Sequence, residues 1–247
     1  MGKLTDTIKH LIIINVIFFI ALQVLGLKVY DLFALYHPTS PNFEIWQIVT
    51  HMFMHSPTFI PHILMNMLGL WMFGTPLEQM WGRNKFLFFY FSAGLGAVLL
   101  PFLIDYYQLN NIIEILTSNG FDKETIISTL KQGKYNTGWE QTLSEVDFKK
   151  MMSITLKSSV GASGAVMGLL AAYGLNFPNS KLALIFLPVP IAAKYFIPLL
   201  LTYEILSGIF GWSSVFGVNI AHFAHVGGAI IGFLLAWYWK KNQFRTY

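Results

Sequence analysis

The chain has 247 residues, a net charge of +4, no cysteine, 55% hydrophobic residues and only 11% charged residues. Soluble domains carry roughly 25% charged residues, so this composition excludes an ordinary soluble globular domain and points to a polytopic membrane protein. Without cysteine there are no disulfides, no thiolate-held metals or iron–sulfur clusters and no cysteine nucleophile, and the small positive excess reads as topology charge beside a membrane, not as a nucleic-acid surface.

A spanning helix needs about 20 mostly apolar residues. Residues 11–27 supply the first, after a short stretch holding Lys3 and Lys9. No small-x-small cleavage site follows, so the segment reads as a retained helix and not as a signal peptide. Residues 28–61 form a long first loop whose Trp46, Met52, Phe53, Met54, Phe59 and Ile60 suit the membrane interface. The next spans are expected at residues 62–80 and 86–104. Residues 105–150 are polar and read as an external insertion with helix starts near Asp122 and Ser144, the latter by its Ser144-x-x-Asp147 cap pattern. A fourth span is expected at 152–176, entering the membrane near Lys157 so that Ser163 lies six residues in, a fifth at 195–210 and a sixth at 219–239. Residues 182–191 are apolar but short and hold Pro188 and Pro190, so they read as an interfacial connection.

The fold class is therefore all-α: one polytopic membrane domain over residues 1–247, a six transmembrane helix bundle carrying the insertion, because helices satisfy their own backbone groups in lipid. With the N-terminus inside, the cytoplasmic segments hold nine Lys and Arg against Asp6 and Glu78, a balance of +7. The external side is assigned seven Lys and the other ten acids, a balance of −3. The asymmetry is that of positive-inside sorting, and both termini fall in the cytoplasm.

Polar groups inside a bilayer are costly, so each one within a span is a functional candidate. Ser163 lies in Gly161-Ala162-Ser163-Gly164 and His225 in Ala224-His225-Val226-Gly227-Gly228, while His62 and Asn66 share one face of the second helix at i, i+4. All three helices enter from the external side, which puts the four residues in one shallow layer. Gly164-x-x-x-Gly168 and Gly228-x-x-x-Gly232 allow the fourth and sixth helices to approach closely. A serine hydroxyl needs an adjacent base to become a nucleophile, and a neutral imidazole is such a base. No acid is expected beside Ser163 or His225, so the pattern favours a Ser–His dyad over a triad. His62, Asn66 and the Ser163 N–H are donors suited to an oxyanion.

These three motifs, in this order and on these spans, resemble the rhomboid family of intramembrane serine proteases. The resemblance covers about residues 10–240 apart from the insertion. It implies Ser163 as nucleophile, His225 as general base, His62 with Asn66 and the Ser163 amide at the oxyanion hole, and close packing through Gly161, Gly164, Gly168, Gly228 and Gly232. It also implies a bacterial-type six-helix architecture in a cytoplasmic membrane, no cofactor, a first loop embedded in the membrane, a cap over about residues 211–218, and membrane-protein substrates entering from lipid between the second and fifth helices. Two departures stand out. The family often has Trp-Arg in the first loop where this chain has Trp46-Gln47, which puts the anchoring of that loop in question. Many members have an aromatic residue four after the nucleophile, where this chain has Met167.

The remaining polar residues have plainer readings. His51 and His55 are expected to hydrogen-bond within the first loop, His222 to lie nearer water than His225, and Glu78 to make a structural bond at the cytoplasmic end of the second helix. Neither His51/His55 nor His222/His225 has a neighbouring acid in sequence to complete a metal site. The competing functions are a non-catalytic membrane-protein binding scaffold of the same family and a small transporter. A transporter calls for polar residues through the full depth of the bundle.

Overall fold

In a computed structural model, described over residues 3–184, 187–212 and 221–242, the chain is mainly helical. Helix α1 (Asp6–Leu25) is almost wholly apolar after its first turn and, at 1.5 Å per residue, about 30 Å long. Glu78 meets its N-terminus, where the carboxylate accepts from Ile8 N–H at 3.3 Å and from the Thr5 hydroxyl. A buried carboxylate there answers the positive end of the helix dipole. Gly26, at φ +75°, ends α1 and the chain turns into α2 (Leu27–Phe33). The first loop then forms strand β1 (Leu35–Tyr36), helix α3 (Gln47–Thr50) and a 3₁₀ turn over His51–Phe53.

The loop leads into a single helical run with an internal irregularity: α4 (Ile60–Gly69), a π turn (Leu70–Gly74) and α5 (Thr75–Trp81). Sequence periodicity alone predicts an unbroken helix here. Pro76 has no N–H to give to the preceding turn, and a wider turn just before it absorbs the mismatch. Gly82, at φ +76°, reverses the chain into α6 (Arg83–Ser118). That helix has 36 residues and runs well past residue 104, where the polar insertion was expected to interrupt it.

The insertion is a small helical unit built on the last turns of α6. It comprises α7 (Lys123–Lys131), α8 (Thr137–Thr142) and α9 (Glu145–Leu156) around its own core of Leu116, Ile126, Leu130, Trp139 and Met151. Both sequence-predicted starts are capped. Asp122 accepts from Thr125 N–H at 2.7 Å, and Ser144 accepts from Asp147 N–H at 3.1 Å while its hydroxyl meets the Asp147 carboxylate at 2.6 Å.

The expected fourth span is not one helix. Strand β2 (Ser158–Ser159) pairs antiparallel with β1, and only at Ser163 does α10 (Ser163–Asn176) begin. Met152 belongs to α9, and Gly161 at φ +124° makes a continuous helix impossible. Ser163 therefore sits at a helix start and not six residues inside a helix. After α10, β3 (Lys181–Leu184) and β4 (Leu187–Ala192) form an antiparallel hairpin where a connection was expected. Helix α11 (Ala193–Phe210) ends at Gly211, and α12 (His222–Asn242) closes the described chain. The expected cap at 211–218 and the start of the sixth span at 219 lie largely outside the described residues.

Helix α10 is the centre of the bundle. Its Ala165, Leu169 and Ala172 pack with Ile8, Met52, Leu70, Leu77, Phe86, Phe89 and Ala236. Lys240 donates to the Leu175 carbonyl at 2.8 Å, at the C-terminal end of α10. Outside this core, Ile17, Ile20, Val24, Leu99, Leu103, Leu199 and Phe233 are exposed. Large apolar side chains exposed on four helices around a well-packed centre fit contact with lipid. Among the described residues, α1, α6 and α11 are long and apolar enough to cross a membrane. Of the other expected spans, the second is broken at its π turn and α10 has only 14 residues.

Candidate active site

The site is assembled around the first turn of α10. Gly161 N–H donates to the His51 carbonyl at 2.9 Å, which ties the approach to α10 onto the first loop. Ser163 is half-buried, and the amides of the first helical turn have no carbonyl one turn back to bind. These amides and the helix dipole favour negative charge beside the hydroxyl.

His62 and Asn66 lie on α4, next to that turn. Ser56 N–H donates to His62 Nδ1 at 3.1 Å, so a neutral His62 carries its proton on Nε2. A Cβ built on Gly161 would stand 2.9 Å from His62 Nε2 and 3.5 Å from Ser163 Oγ. Imidazole and hydroxyl thus border one small space, which the absence of a side chain at position 161 keeps open. Asn66 is buried and gives one amide N–H to the His62 carbonyl at 2.8 Å, leaving its second N–H for another acceptor.

Glycines bring α12 against α10. A Cβ on Gly228 would meet the Gly164 carbonyl oxygen at 2.0 Å, and one on Gly232 would meet Gly168 Cα at 2.5 Å. Gly227 meets Gly96 of α6 in the same way, at 2.3 Å. Ala224 and Gly228 both border Gly164, so the turn that carries His225 lies against the start of α10, one residue from Ser163. No hydrogen bond joins the Ser163 hydroxyl to His225 among the described residues. Met167, one turn below Ser163, is buried with Ala193, Ile197 and Ala229.

His225 has an acidic neighbour that the sequence reading missed. Its Nδ1 lies 3.1 Å from Glu204 Oε2 of α11, off the line of a hydrogen bond. The same oxygen is 2.7 Å from His222 Nδ1. His222 is buried rather than nearer water, with Nε2 facing the Trp212 carbonyl at 3.3 Å. The charge count from sequence places Glu204 among the external acids, but it lies buried inside α11; without it that count falls from ten to nine, and the sign of the expected charge bias is unchanged. The signal was available, since a carboxylate in an apolar span is itself a functional candidate.

The first loop supports the site without a charged anchor. Gln47 is fully buried; its Oε1 accepts from Tyr36 N–H (3.3 Å) and Glu44 N–H (3.1 Å), and its Nε2 donates to the carbonyls of Asn42 (2.8 Å) and Asp31 (3.2 Å). The neutral amide therefore fastens three parts of the loop. His51 Nδ1 bonds the Gln47 carbonyl at 2.9 Å, and burial pushes its imidazole down to about 4. His55 departs from expectation: neither ring nitrogen has a partner among the described residues, and its ring packs edge-on against His62 at 5.1 Å. Burial, then the His62 ring, pushes it down to about 3. A largely apolar cavity of about 700 Å³ runs from Ser163 and Gly161 between the first loop and α6, past Phe102, to Asp105 and Lys157. Among the described residues no group of three or more His, Asp or Glu is arranged to hold a metal ion.

The chain is 29% identical over 201 residues to the rhomboid protease AarA of Providencia stuartii, covering 77% of this chain and 54% of that protein. It is 25% identical over 180 residues to the mitochondrial rhomboid protein 1 of Saccharomyces cerevisiae (73% and 38%) and 26% identical over 188 residues to the mitochondrial presenilin-associated rhomboid-like protein of Rattus norvegicus (74% and 37%). It thus spans between 37% and 54% of the length of these relatives. The Rhomboid domain matches residues 42–122 and 124–242, which takes in the first loop from residue 42 onward, all four candidate polar residues and the glycine contacts between α10 and α12: this chain belongs to the rhomboid family.

Proposed function

We propose that the protein is an intramembrane serine endopeptidase that cleaves other membrane proteins within or beside a spanning segment. Ser163 Oγ attacks the scissile carbonyl as His225 Nε2 takes its proton; His225 then returns the proton to the leaving amine, and water hydrolyses the acyl-enzyme. The Ser163 N–H, His62 Nε2–H and the free Asn66 N–H receive the oxyanion. The observation that carries this reading is the meeting of three features at one point: an unpaired helix start bearing Ser163, the Nε2 side of His62 across the gap left by Gly161, and the His225 turn held at backbone contact by Gly164 and Gly228. Catalytic hydrogen bonds commonly tighten only when substrate is bound, which accommodates the separate Ser163 and His225 side chains.

In this reading the chain crosses a bacterial cytoplasmic membrane six times with both termini in the cytoplasm and the site near the external face. The second, fourth and sixth crossings are made by the α4–α5 run, α10 and α12. Substrates are membrane proteins that enter from the bilayer, and the chemistry requires no metal or cofactor. With no Ser163–His225 hydrogen bond among the described residues, one rival stands beside this reading, a non-catalytic scaffold that binds membrane proteins. Co-expression with a single-span reporter separates the two. The wild type is expected to cut the reporter at a position set by product mass, and Ser163→Ala to leave it whole. Equal cleavage by the two proteins would remove the proposal, and no cleavage or fluorophosphonate labelling by the wild type would favour the scaffold.

A further inference from the structure

We propose that Glu204 is a positioning residue that holds the His225 imidazole in the tautomer and orientation needed to take a proton from Ser163, extending the dyad to a Ser–His–Glu arrangement. The inference rests on the proposed peptidase reading. Its basis is one carboxylate oxygen between two imidazoles: Glu204 Oε2 is 2.7 Å from His222 Nδ1 and 3.1 Å from His225 Nδ1, with all three side chains largely removed from contact with the surroundings.

A general base must have a lone pair on the nitrogen facing the hydroxyl. An acceptor beside Nδ1 keeps the proton of neutral His225 on that nitrogen and leaves Nε2 free. Glu204 is such an acceptor and lies on a helix that carries neither Ser163 nor His225, so it fixes the ring from a third direction. His225 Nδ1 makes no hydrogen bond among the described residues although Glu204 Oε2 stands 3.1 Å away, so the ring must turn into line with that oxygen when it acts as base. His222 Nδ1, 2.7 Å from the same oxygen, keeps the carboxylate in place, and its Nε2 faces the Trp212 carbonyl at 3.3 Å. When Ser163 Oγ bonds to the acyl carbon, its proton passes to His225 Nε2, and the resulting imidazolium stands beside a carboxylate in a low-dielectric site, where opposite charge is worth most. An alternative structural role, tying α11 to α12, uses the same contacts. The test must therefore separate rate from fold.

The experiment uses the full chain in detergent and a fluorophosphonate probe. The probe forms an Oγ–P bond, loses fluoride and leaves the serine proton with His225. Wild type and Glu204→Gln are followed to completion, with Ser163→Ala as control, and thermal unfolding is recorded for each. Positioning predicts that Glu204→Gln reaches the same final labelled fraction with a rate constant lower by about 10²-fold, within the range of general-base contributions. Reporter kinetics should show the loss in kcat with KM unchanged. Glu204→Asp keeps the charge and should recover part of the rate; if the Gln variant does not fold, the Asp variant alone is expected to show a smaller rate loss at full endpoint. A wild-type rate constant in Glu204→Gln overturns the proposal, as does a lowered endpoint with an unchanged rate per labelled site. Failure of the wild type itself to label above Ser163→Ala marks the loss of the peptidase reading, and this inference falls with it.

Discussion

The closest helix contact lends itself to a quantitative test. In Gly228→Ala the new Cβ would stand 2.0 Å from the Gly164 carbonyl oxygen, 2.6 Å from its carbon and 3.1 Å from its Cα. Ordinary contact begins near 3.4 Å, so the shortfall is about 1.4 Å against backbone atoms that cannot rotate away. The helices must separate by a distance of that order. Overpacking of this kind typically costs about 1–3 kcal/mol, which at roughly 2–4 °C per kcal/mol lowers Tm by about 2–12 °C in a chain of this length. The same separation carries His225 away from Ser163, and a misplacement of about 1 Å can cost roughly 10²-fold in rate. Gly232→Ala is the internal comparison. Its Cβ would meet Gly168 Cα at 2.5 Å, one turn further from the two side chains, so it should destabilise while slowing fluorophosphonate labelling less. Thermal unfolding in detergent and labelling rates measure both effects. A Gly228→Ala protein that melts and labels like wild type would refute the argument that this backbone contact sets the site.

The first loop and the insertion give two further tests. Gln47→Ala removes a buried amide that serves the backbones of Tyr36, Glu44, Asn42 and Asp31; with unsatisfied buried groups at about 1–3 kcal/mol each and some reached by water, the expected loss is about 2–4 kcal/mol, and an unchanged Tm would show that the loop is anchored elsewhere. The Thr125 backbone and hydroxyl hydrogen bonds hold the Asp122 carboxyl below its ordinary value of 3.8. A carboxyl with a lowered folded-state value contributes stability that is present above its unfolded value and lost as pH falls through the folded one. Hydrogen exchange of the α7 amides should therefore accelerate as pH is lowered below about 4 once the intrinsic pH dependence of exchange is removed, and Asp122→Asn should abolish that acceleration; identical profiles in the two proteins would refute it.

Much of the molecule was legible in sequence because the relevant physics is local. Apolar length locates helix-forming segments, Asp122 and Ser144 announce the helices they cap, and the glycine pairs of α10 and α12 announce a close approach. The same holds for His62 and Asn66, which share a helix face by spacing alone. Other features depend on partners distant in the chain. Hydropathy could not show that α6 continues through residue 118, because its last turns are buried by Ile126, Trp139 and Met151 of the insertion and not by lipid. It merged α9 with α10, since the break comes from pairing of Ser158–Ser159 with Leu35–Tyr36 and from the backbone of Gly161. Gln47 looked like a weakened anchor until its four backbone partners were in place. Sequence determined which residues carry the candidate chemistry, because hydroxyl and imidazole groups are conspicuous in an apolar chain. Only the tertiary structure decided that Ser163 starts a helix and that Glu204 faces His225, because both follow from how separate helices are held against one another.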